Sequence, residues 1–427
     1  MVFALFFKNV FKGDTMKLAK LSMVTVVVAG LATSSYAADT LADAFKNGHV
    51  SGELRAYYYD REGAVNSTTS AVNSDIFTTG LILRYVSDSF YGFKLGATFQ
   101  SSYSPFADGS LSNAGTAKSD FKGDMYGSGA VLSEAYIQYK IGNTTAKIGR
   151  QFINTPLVGG SPSRLITQSF EGAIVTNTDL PQTTLLAGVI TKYQNRTDGA
   201  GNIGEFVNLE SSAAYGDYGY TLLAINKSIT NTTLSAQWAG LYGNPTTGVD
   251  ADFYYLEGAY NILLGDFKYG LALNYEYKAT NEIGQDDGTM YGAKGSFGYK
   301  DFNTYVAYTT ITDDGDIEGT ALTGGLGGGA QTAFAKGYQN KAGTYTRDTK
   351  SYSIDANYNF KAVGLLVGAR YTGVDDKAND KEYGYTDMYT VYNFTGALKG
   401  LATDISYQDW EKDADGHDLW FKANYKF

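Results

Sequence analysis

The sequence predicts an all-β protein: a single transmembrane, antiparallel, up-and-down β-barrel of about 18 strands. The 427 residues contain no Cys and only 5 Pro but 36 Tyr, 23 Phe and 51 Gly, which favours β-structure rich in aromatic residues and glycine. Beyond the N-terminal leader, no apolar run approaches the roughly 18 residues that a membrane helix needs. The chain also ends in an alternating segment, 418–427. One face carries Leu419, Phe421, Ala423, Tyr425 and Phe427, and the other carries Asp418, Trp420, Lys422, Asn424 and Lys426.

Residues 1–37 are predicted to be a secretory signal peptide. Lys17 and Lys20 form its basic region, residues 23–32 form an apolar run, and Ala37 ends a cleavage site of small residues. The apolar run is too short to cross a hydrocarbon core of roughly 30 Å, which argues against a membrane-anchoring helix. We therefore place cleavage after Ala37.

The rest of the chain is predicted to form one domain, because no shift in composition marks an internal boundary. Residues 38–49 are expected to form a periplasmic N-terminal segment and residues 50–427 the barrel, while residues 1–15 are interpreted as an over-called start or an extended leader. The net charge of −10 becomes more negative once the lysine-containing leader is removed. That sign argues against nucleic acid as a partner. The lack of Cys excludes disulfides and thiolate metal sites.

Alternation and turn signals predict eighteen strands. They lie near 50–59, 75–86, 91–101, 131–141, 144–152, 169–176, 183–193, 217–227, 230–241, 251–261, 267–278, 289–299, 302–311, 351–360, 363–373, 386–395, 400–409 and 418–427. Quick turns follow even-numbered strands, as at 142–143 and 300–301. Longer connections follow odd-numbered strands, as at 102–130, 194–216 and 312–350. This segregation predicts short periplasmic turns and long extracellular loops.

The strands are expected to turn one face to lipid and one to water. In 267–278, apolar and aromatic residues alternate with Lys268, Asn274, Glu276 and other polar or small residues. In 131–141, the outward set is predicted to be Val131, Ser133, Ala135, Ile137 and Tyr139, and the inward set Leu132, Glu134, Tyr136, Gln138 and Lys140. Because eighteen strands enclose a lumen too wide for side chains to fill, we expect an inserted segment to narrow it.

Segment 153–168 is the predicted constriction loop. It carries Pro156, Pro162 and several apolar residues where a surface loop is usually polar. A stiff, apolar loop packs best against a wall, so we expect it to fold into the barrel and present Arg164 to solutes. The alternative is an ordinary surface loop folded on itself.

Local alternation also selects charges that could line the lumen. Arg55 and Arg61 share a face with Glu53, and a cation on the lipid face would cost roughly 2–4 kcal/mol at the midplane, so inward is expected. Lys422 should face the lumen near Arg55, because the last strand pairs with the first. Each arginine could instead pair with a lumen carboxylate, which would leave no net anion preference. The complete candidate set for the pore lining and constriction is Arg164, Arg150, Arg55, Arg61, Arg84, Arg370, Lys140, Lys422, Glu134 and Glu171.

Several short motifs resemble the OprD-like outer-membrane porins. They are Leu54 to Arg61 in the first strand, Gly149-Arg150-Gln151, Asn154-Thr155-Pro156-Leu157, Ser163-Arg164-Leu165 and Gln168-Ser169-Phe170-Glu171-Gly172. The strand plan fits that family over essentially the whole mature chain, although Thr167 stands where the family often has Pro. The resemblance implies a porin for passive diffusion of small hydrophilic solutes, with a preference for carboxylate-bearing nutrients such as amino acids, small peptides and organic acids. It implies no catalysis and no cofactor, and a general non-selective porin is the alternative.

Two readings from other classes stay open. A hydrolytic barrel would need a base, yet the two histidines, His49 and His417, fall at opposite ends of the predicted barrel. An adhesive barrel could use the connection 312–350, whose glycine-rich stretch 324–329 is typical of a flexible extracellular tip. Segment 413–418 faintly resembles a calcium loop, but the bidentate Glu is missing, so no metal site is expected.

The predicted location is the bacterial outer membrane, where the barrel would contact lipid and lipopolysaccharide. The terminal Phe427 resembles the residue by which the barrel-assembly machinery recognises such chains. The protein is expected to act as a monomer or as a loose homotrimer.

Overall fold

The computed structural model describes residues 38–64, 72–106, 127–199, 201–209, 217–243, 248–319, 324–339 and 345–427. The predicted signal peptide, 1–37, lies outside the described residues. Within them, no helix is both long and apolar enough to span a membrane.

Nearly all regular structure is antiparallel β-sheet. The elements, in chain order, are α1 (Leu41–Lys46), β1 (His49–Ala64), β2 (Val72–Val86), β3 (Phe93–Tyr103), β4 (Gly129–Ile141), β5 (Thr144–Gln151), β6 (Ser169–Asn177), β7 (Thr183–Gln194), β8 (Phe206–Asn208), β9 (Tyr218–Asn226), β10 (Thr232–Tyr242), β11 (Ala251–Leu264), β12 (Phe267–Thr280), β13 (Gly288–Tyr299), β14 (Phe302–Ile311), β15 (Thr349–Phe360), β16 (Leu365–Asp376), β17 (Lys381–Asn393), β18 (Leu401–Lys412) and β19 (Asp415–Lys426). Short 3₁₀ turns cover Lys377–Asn379 and Gly396–Leu398.

The sheet closes into a barrel because β1 pairs with both β2 and β19. Every other wall strand pairs with its neighbours in sequence, and β7 pairs with β9 past the short strand β8. At the closure, the amide of Phe427 donates to the carbonyl of Gly52 at 3.0 Å and the amide of Gly52 donates back at 2.9 Å. Closure leaves the wall without an unpaired edge, which a membrane-spanning sheet requires.

Each of the eighteen predicted strands has a counterpart in the wall, so the predicted fold class is confirmed. The nineteenth strand, β8, is only three residues long and pairs with the outer end of β7, where Lys192 lies opposite Asn208. Alternation cannot be recognised over three residues, so the sequence carried no signal for it.

The two rims differ as predicted, with two exceptions. Turns such as 142–143, 265–266 and 300–301 join strands at the periplasmic rim, and the long connections open at the other. The outer connections 377–380 and 413–414, however, are as short as periplasmic turns. The part of the outer rim from β16 to β19 therefore carries only short connections.

Alternation sets the two faces of the wall. On β12, Leu271 and Leu273 are exposed to the outside, whereas Asn274, Glu276 and Lys278 are buried on the inner side. This agrees with the predicted polarity of the segment.

On β4, the predicted faces hold from Glu134 onward and fail before it. A bulge between Thr98 and Phe99 of β3 pairs Thr98 with Glu134 but Phe99 with Leu132. Leu132 is consequently exposed on the outer face, while Ser133 is buried and bonded to inward Gln100. The prediction for these two residues is wrong because a bulge shifts the period by one residue.

Helix α1 is fastened to the barrel at its periplasmic end. Thr40 caps it by accepting a hydrogen bond from the amide of Asp43. Its far end is tied to the β2 side of the wall, because the Tyr85 hydroxyl donates to the carbonyl of Phe45 at 2.6 Å and the Asp88 amide donates to that of Ala44 at 2.9 Å.

Candidate functional site

The connection between β5 and β6, residues 152–168, folds into the lumen. Leu157 and Val158 are almost fully buried, and they pack in one cluster with Phe170, Ile190 and other inward side chains of β6 to β11. The apolar composition that singled out this segment is thus used against the inner wall. The segment that the sequence singles out thus lies inside the barrel, and its role as a constriction stays a prediction.

Two buried glutamines hold this first inserted loop by its main chain. The side chain of Gln100 on β3 donates to the carbonyl of Thr167 at 2.8 Å and accepts from its amide at 2.9 Å. On the opposite side, Gln237 of β10 accepts from the amide of Leu157 at 2.9 Å and donates to the Thr155 hydroxyl at 2.8 Å. Such bonds satisfy main-chain groups that burial would otherwise leave without partners.

Two of the predicted lumen cations hold the tip of the same loop. The Arg55 guanidinium donates through Nη1 to the carbonyls of Arg164 and Leu165, at 3.0 and 2.8 Å. Lys422 donates through Nζ to the carbonyl of Ser163 at 3.1 Å. The structure thus brings Arg55 and Lys422 to the same part of the wall, where both have a structural role.

Arg164 itself lies at this tip and is largely buried. Its guanidinium carbon is 4.4 Å from the centre of the Trp420 ring, and its Nη1 donates to the Ser163 hydroxyl at 3.2 Å. Arg164 also lines a small recess together with Ser102, Thr197 and Arg196. Sequence reasoning missed Arg196, because an arginine in a long connection gives no periodic signal.

The connection between β14 and β15 is a second inserted loop. Its residues 324–330 are buried inside the barrel and pair with the first loop. The Leu326 amide donates to the Leu157 carbonyl at 2.8 Å, and the Gly159 amide donates to the Leu326 carbonyl at 3.0 Å. The prediction of a flexible extracellular tip for this glycine-rich stretch is therefore wrong.

Glycine is needed here for close approach of two backbones. A Cβ on Gly325 would lie 2.3 Å from the Leu157 carbonyl oxygen, and one on Gly159 would lie 2.9 Å from the carbonyl carbon of Gly329. Both distances are shorter than side chains tolerate. Composition alone does not distinguish such glycines from those of a mobile loop.

A buried ion pair holds the second loop. Arg370 of β16 and Asp355 of β15 are both almost fully buried, with the Nε and Nη2 atoms of Arg370 at 2.9 and 2.8 Å from one carboxylate oxygen. Arg370 also donates to the carbonyl of Lys336 at 3.3 Å. Nearby, Tyr338 stacks on Tyr389 at 4.2 Å between ring centres.

The Tyr338 hydroxyl has a raised pKa. Burial is the main cause, and the carboxylate of Asp404 adds to it. Tyr338 therefore stays neutral, and its hydroxyl donates to the carboxylate of Asp404 at 3.4 Å.

Glu134 is the centre of a separate inward cluster. It accepts from the Thr98 hydroxyl at 2.6 Å and lies 3.1 Å from the Arg84 guanidinium and 3.6 Å from the Lys147 ammonium. Arg84 nevertheless keeps 45% of its side chain exposed. Arg84 is thus a lumen cation with a counter-charge, as is Arg61, which binds Asp418 through two bonds of 2.8 and 2.9 Å.

The remaining candidates lie elsewhere. Lys140 is exposed on the inner face of β4, next to the periplasmic turn. Arg150 and Glu171 lie on the outer face, because Arg150 alternates with exposed Ile148 and Glu171 with exposed Val175. They do not line the lumen, contrary to the sequence-based expectation.

Neither histidine lies near the inserted loops. His49 begins β1 at the periplasmic rim, and His417 lies in the outer end of β19, 3.9 Å from the carboxylate of Glu62. The two therefore stand at opposite ends of the barrel, as the sequence predicted.

A family model and the most similar solved structures both relate this chain to one family of proteins. The family model described as outer membrane porin, OprD family, matches residues 42–416. Among solved structures, Pseudomonas aeruginosa OccK9 (OpdG) has a TM-score of 0.73 at 17% identity, covering 90% of this chain and 99% of that one. P. aeruginosa OccK2 (OpdF) in complex with glucuronate gives 0.71 at 16%, covering 90% and 97%. P. aeruginosa OpdK with vanillate gives 0.70 at 17%, covering 90% and 99%. A search of curated proteins found no match.

Proposed function

Because the chain belongs to the OprD family of outer-membrane porins, we propose that it lets small hydrophilic solutes diffuse passively across the outer membrane and prefers those that carry a carboxylate. The membership covers residues 42–416, so location in the outer membrane and the role of a channel apply to the whole barrel. The preference among solutes is the part that needs its own support.

That support is the gathering of cations where the two inserted loops meet. Arg164 and Arg196 line the same recess, and Arg55 contacts the first loop at the carbonyls of Arg164 and Leu165. A solute passing the first loop therefore meets several positive charges close together.

Arginine suits this task physically. Its charge is permanent and its forked donors fit a carboxylate, so an anion can move from one guanidinium to the next without losing all its hydrogen bonds. Conduction also requires that no single contact binds too tightly. In this chain the Trp420 ring below Arg164 and the Ser163 hydroxyl beside it hold the guanidinium in place at the recess.

Two structural relatives are consistent with this preference. The structure of OpdF is a complex with glucuronate, and that of OpdK contains vanillate. Both compounds carry one carboxylate. Their identity to this chain is below a fifth, so they support the chemical class and not a particular solute.

A non-selective porin is the second candidate, because several lumen cations are paired. Arg61 with Asp418, Arg84 with Glu134 and Arg370 with Asp355 are ion pairs that cancel much of their own field. If such pairing prevailed at the constriction, the lumen would not distinguish anions from cations.

Reversal potentials in asymmetric KCl across a planar bilayer test the proposal. We expect the protein to prefer anions and its current to be inhibited more by glucuronate than by glucose. The double variant R164Q/R196Q should lower both effects, whereas R61Q/D418N, which removes both members of the ion pair at the outer end, should change them little. Equal reversal potentials and equal inhibition in all three proteins would favour the non-selective porin.

A further inference from the structure

Three charged side chains form a cluster on the outside of the barrel wall. Glu171 of β6 lies 3.1 Å from Arg150 Nε of β5 and 3.3 Å from Lys192 Nζ of β7. Register places the three residues in one row across the strands, with Arg150 opposite Glu171 and Glu171 opposite Lys192. We call Arg150, Glu171 and Lys192 the outer-wall cluster.

The neighbours of these residues establish which way they face. Phe170 and Tyr193, one position away, are buried with the lumen cluster that receives the first inserted loop. Ile148, two positions from Arg150, is exposed like the other apolar residues of the lipid-facing surface. The outer-wall cluster therefore faces the membrane.

Charges in this position need an explanation. A cation on the lipid-facing surface is unfavourable unless it lies near the interface or meets an anion. Glu171 neutralises only one of the two cations, so the cluster keeps a formal charge of one positive unit. Arg150 and Lys192 also keep 34% and 38% of their side chains exposed, so both can reach a further ligand.

The position along the strands identifies the side of the membrane. β5 starts directly after the periplasmic turn 142–143, and Arg150 is its next-to-last residue. Lys192 is likewise two residues from the outer end of β7. The cluster thus lies toward the outer leaflet.

The guanidinium of Arg150 is held in one orientation by its neighbours. Arg150 lies over the Phe206 ring of β8, with its Cζ 4.3 Å from the ring centre, and donates through Nη1 to the Leu132 carbonyl at 3.4 Å. The contacts with Glu171 and Leu132 use Nε and Nη1, so Nη2 offers further donors of the guanidinium fork. A planar group held on one face by an aromatic ring and on one edge by a carboxylate presents its remaining edge in a fixed direction.

We propose that the outer-wall cluster binds a phosphate group of an outer-leaflet lipid headgroup. Arg150 contributes oriented donors and Lys192 a mobile point charge, which together suit a phosphate with several acceptor oxygens. Glu171 positions both cations and, being an anion, also weakens the binding. This assignment needs only a barrel in the outer membrane and does not depend on which solutes pass through the lumen.

Removing the two cations and removing the Glu171 carboxylate should have opposite effects on phosphate binding. Removing Arg150 and Lys192 should weaken phosphate binding by about fivefold per cation, because each cation near an anionic lipid surface is worth roughly 1 kcal/mol. The change E171Q should strengthen binding, since it removes the repulsive charge while keeping a similar shape. A purely structural ion cluster would not produce an increase.

Native mass spectrometry of the detergent-solubilised barrel can measure this. The probes are lipid A carrying its phosphates and the same lipid after dephosphorylation. We expect the protein to retain the phosphorylated form preferentially, the R150Q/K192Q variant to lose that preference and E171Q to increase it. The variant K300Q, which removes one cation from a periplasmic turn, is the control and should behave like the unaltered protein.

Single-channel conductance separates this result from misfolding and from the proposed function. Because the cluster faces away from the lumen, R150Q/K192Q should conduct as the unaltered protein does. Equal retention of both lipids by the unaltered protein, or unchanged retention in R150Q/K192Q, would overturn the assignment. A change in oligomeric state with unchanged lipid retention would also overturn it and assign this face to a second copy.

Discussion

Arg55 and Arg370 occupy comparable positions on two sides of the barrel, yet their surroundings differ. Each faces the lumen and donates to a main-chain carbonyl of an inserted loop: Arg55 to the first loop at Arg164 and Leu165, Arg370 to the second at Lys336. Arg370 donates two hydrogen bonds to Asp355, and both side chains are at most 3% exposed. Arg55 has one bond to Glu53, whose side chain is 17% exposed.

The difference shows that an arginine facing the lumen does not by itself make the lumen attract anions. Beside the second loop, a buried carboxylate cancels the charge, and the pair serves to hold chain segments together. Beside the first loop, Arg164 and Arg196 add to the charge of Arg55. The positive field that a carboxylate solute would meet therefore arises on one side of the pore.

The largest change in stability is expected when the buried ion pair of Arg370 and Asp355 is broken. Asp355→Ala would leave the Arg370 guanidinium buried without its counter-charge, which costs roughly 3–5 kcal/mol. We expect the free energy of unfolding, measured by urea titration in lipid vesicles, to fall by that amount. The double variant R370L/D355L should recover most of the loss, because no charge is left buried. A loss below about 1 kcal/mol for Asp355→Ala would show that water reaches the pair.

Much of the wall could be predicted because a strand has only two faces. The period of two residues placed Arg55, Arg61, Arg84 and Arg370 inside correctly. The same period places Arg150 outside, on the face of Ile148, although Arg150 was among the predicted pore-lining residues. Leu132 and Ser133 could not be assigned, because a bulge depends on the partner strand.

Replacing Arg55, beside the first inserted loop, should alter conduction more than stability. Arg55→Met removes the donors to the carbonyls of Arg164 and Leu165, which hold the tip of the first loop against the wall. We expect the loop tip to loosen, giving noisier single-channel currents, higher conductance and a weaker anion preference.

Two matched variants interpret that result. The double variant R61M/D418N removes the ion pair near the outer end, in which Asp418 accepts from Arg61, and should leave the noise unchanged. Arg55→Lys keeps the charge but loses the fork, so it should retain anion preference better than it retains a quiet channel. Identical currents in Arg55→Met and the unaltered protein would contradict the assigned role of Arg55.

The inserted loops show a different limit of the sequence. Segment 153–168 was recognisable because apolar residues and prolines are out of place at a surface. The glycine-rich stretch 324–329 was misassigned, because its burial depends on the distant backbone of Leu157 and Gly159, which no local pattern reveals. Arg196 was missed for the same reason, since only the meeting of the loops makes it a candidate site residue.

The smallest effect on stability is expected at a solvent-exposed ion pair, that of Asp413 with Lys381. It shows what such a pair contributes outside the lumen, for comparison with the ion pairs inside it. Asp413, in the outer turn between β18 and β19, accepts from the Glu382 amide at 2.8 Å and lies 3.5 Å from the Lys381 ammonium. The amide hydrogen bond and the lysine lower the pKa of Asp413 below its ordinary value.

A lowered carboxyl pKa gives stability that is complete above the ordinary carboxyl pKa and is lost as the pH falls through the lowered one. Asp413→Asn should therefore speed amide exchange at the outer end of β17 near pH 6, and the difference from the unaltered protein should vanish in strong acid. The change D415N, at the first residue of β19, is the matched control. Because Asp413 lies at the surface with 37% of its side chain exposed, screening by water and salt keeps the effect local. An acid transition of the whole barrel that follows Asp413 would show that exposed pairs matter as much as Arg370 with Asp355, and would remove the basis for distinguishing the two sides of the lumen.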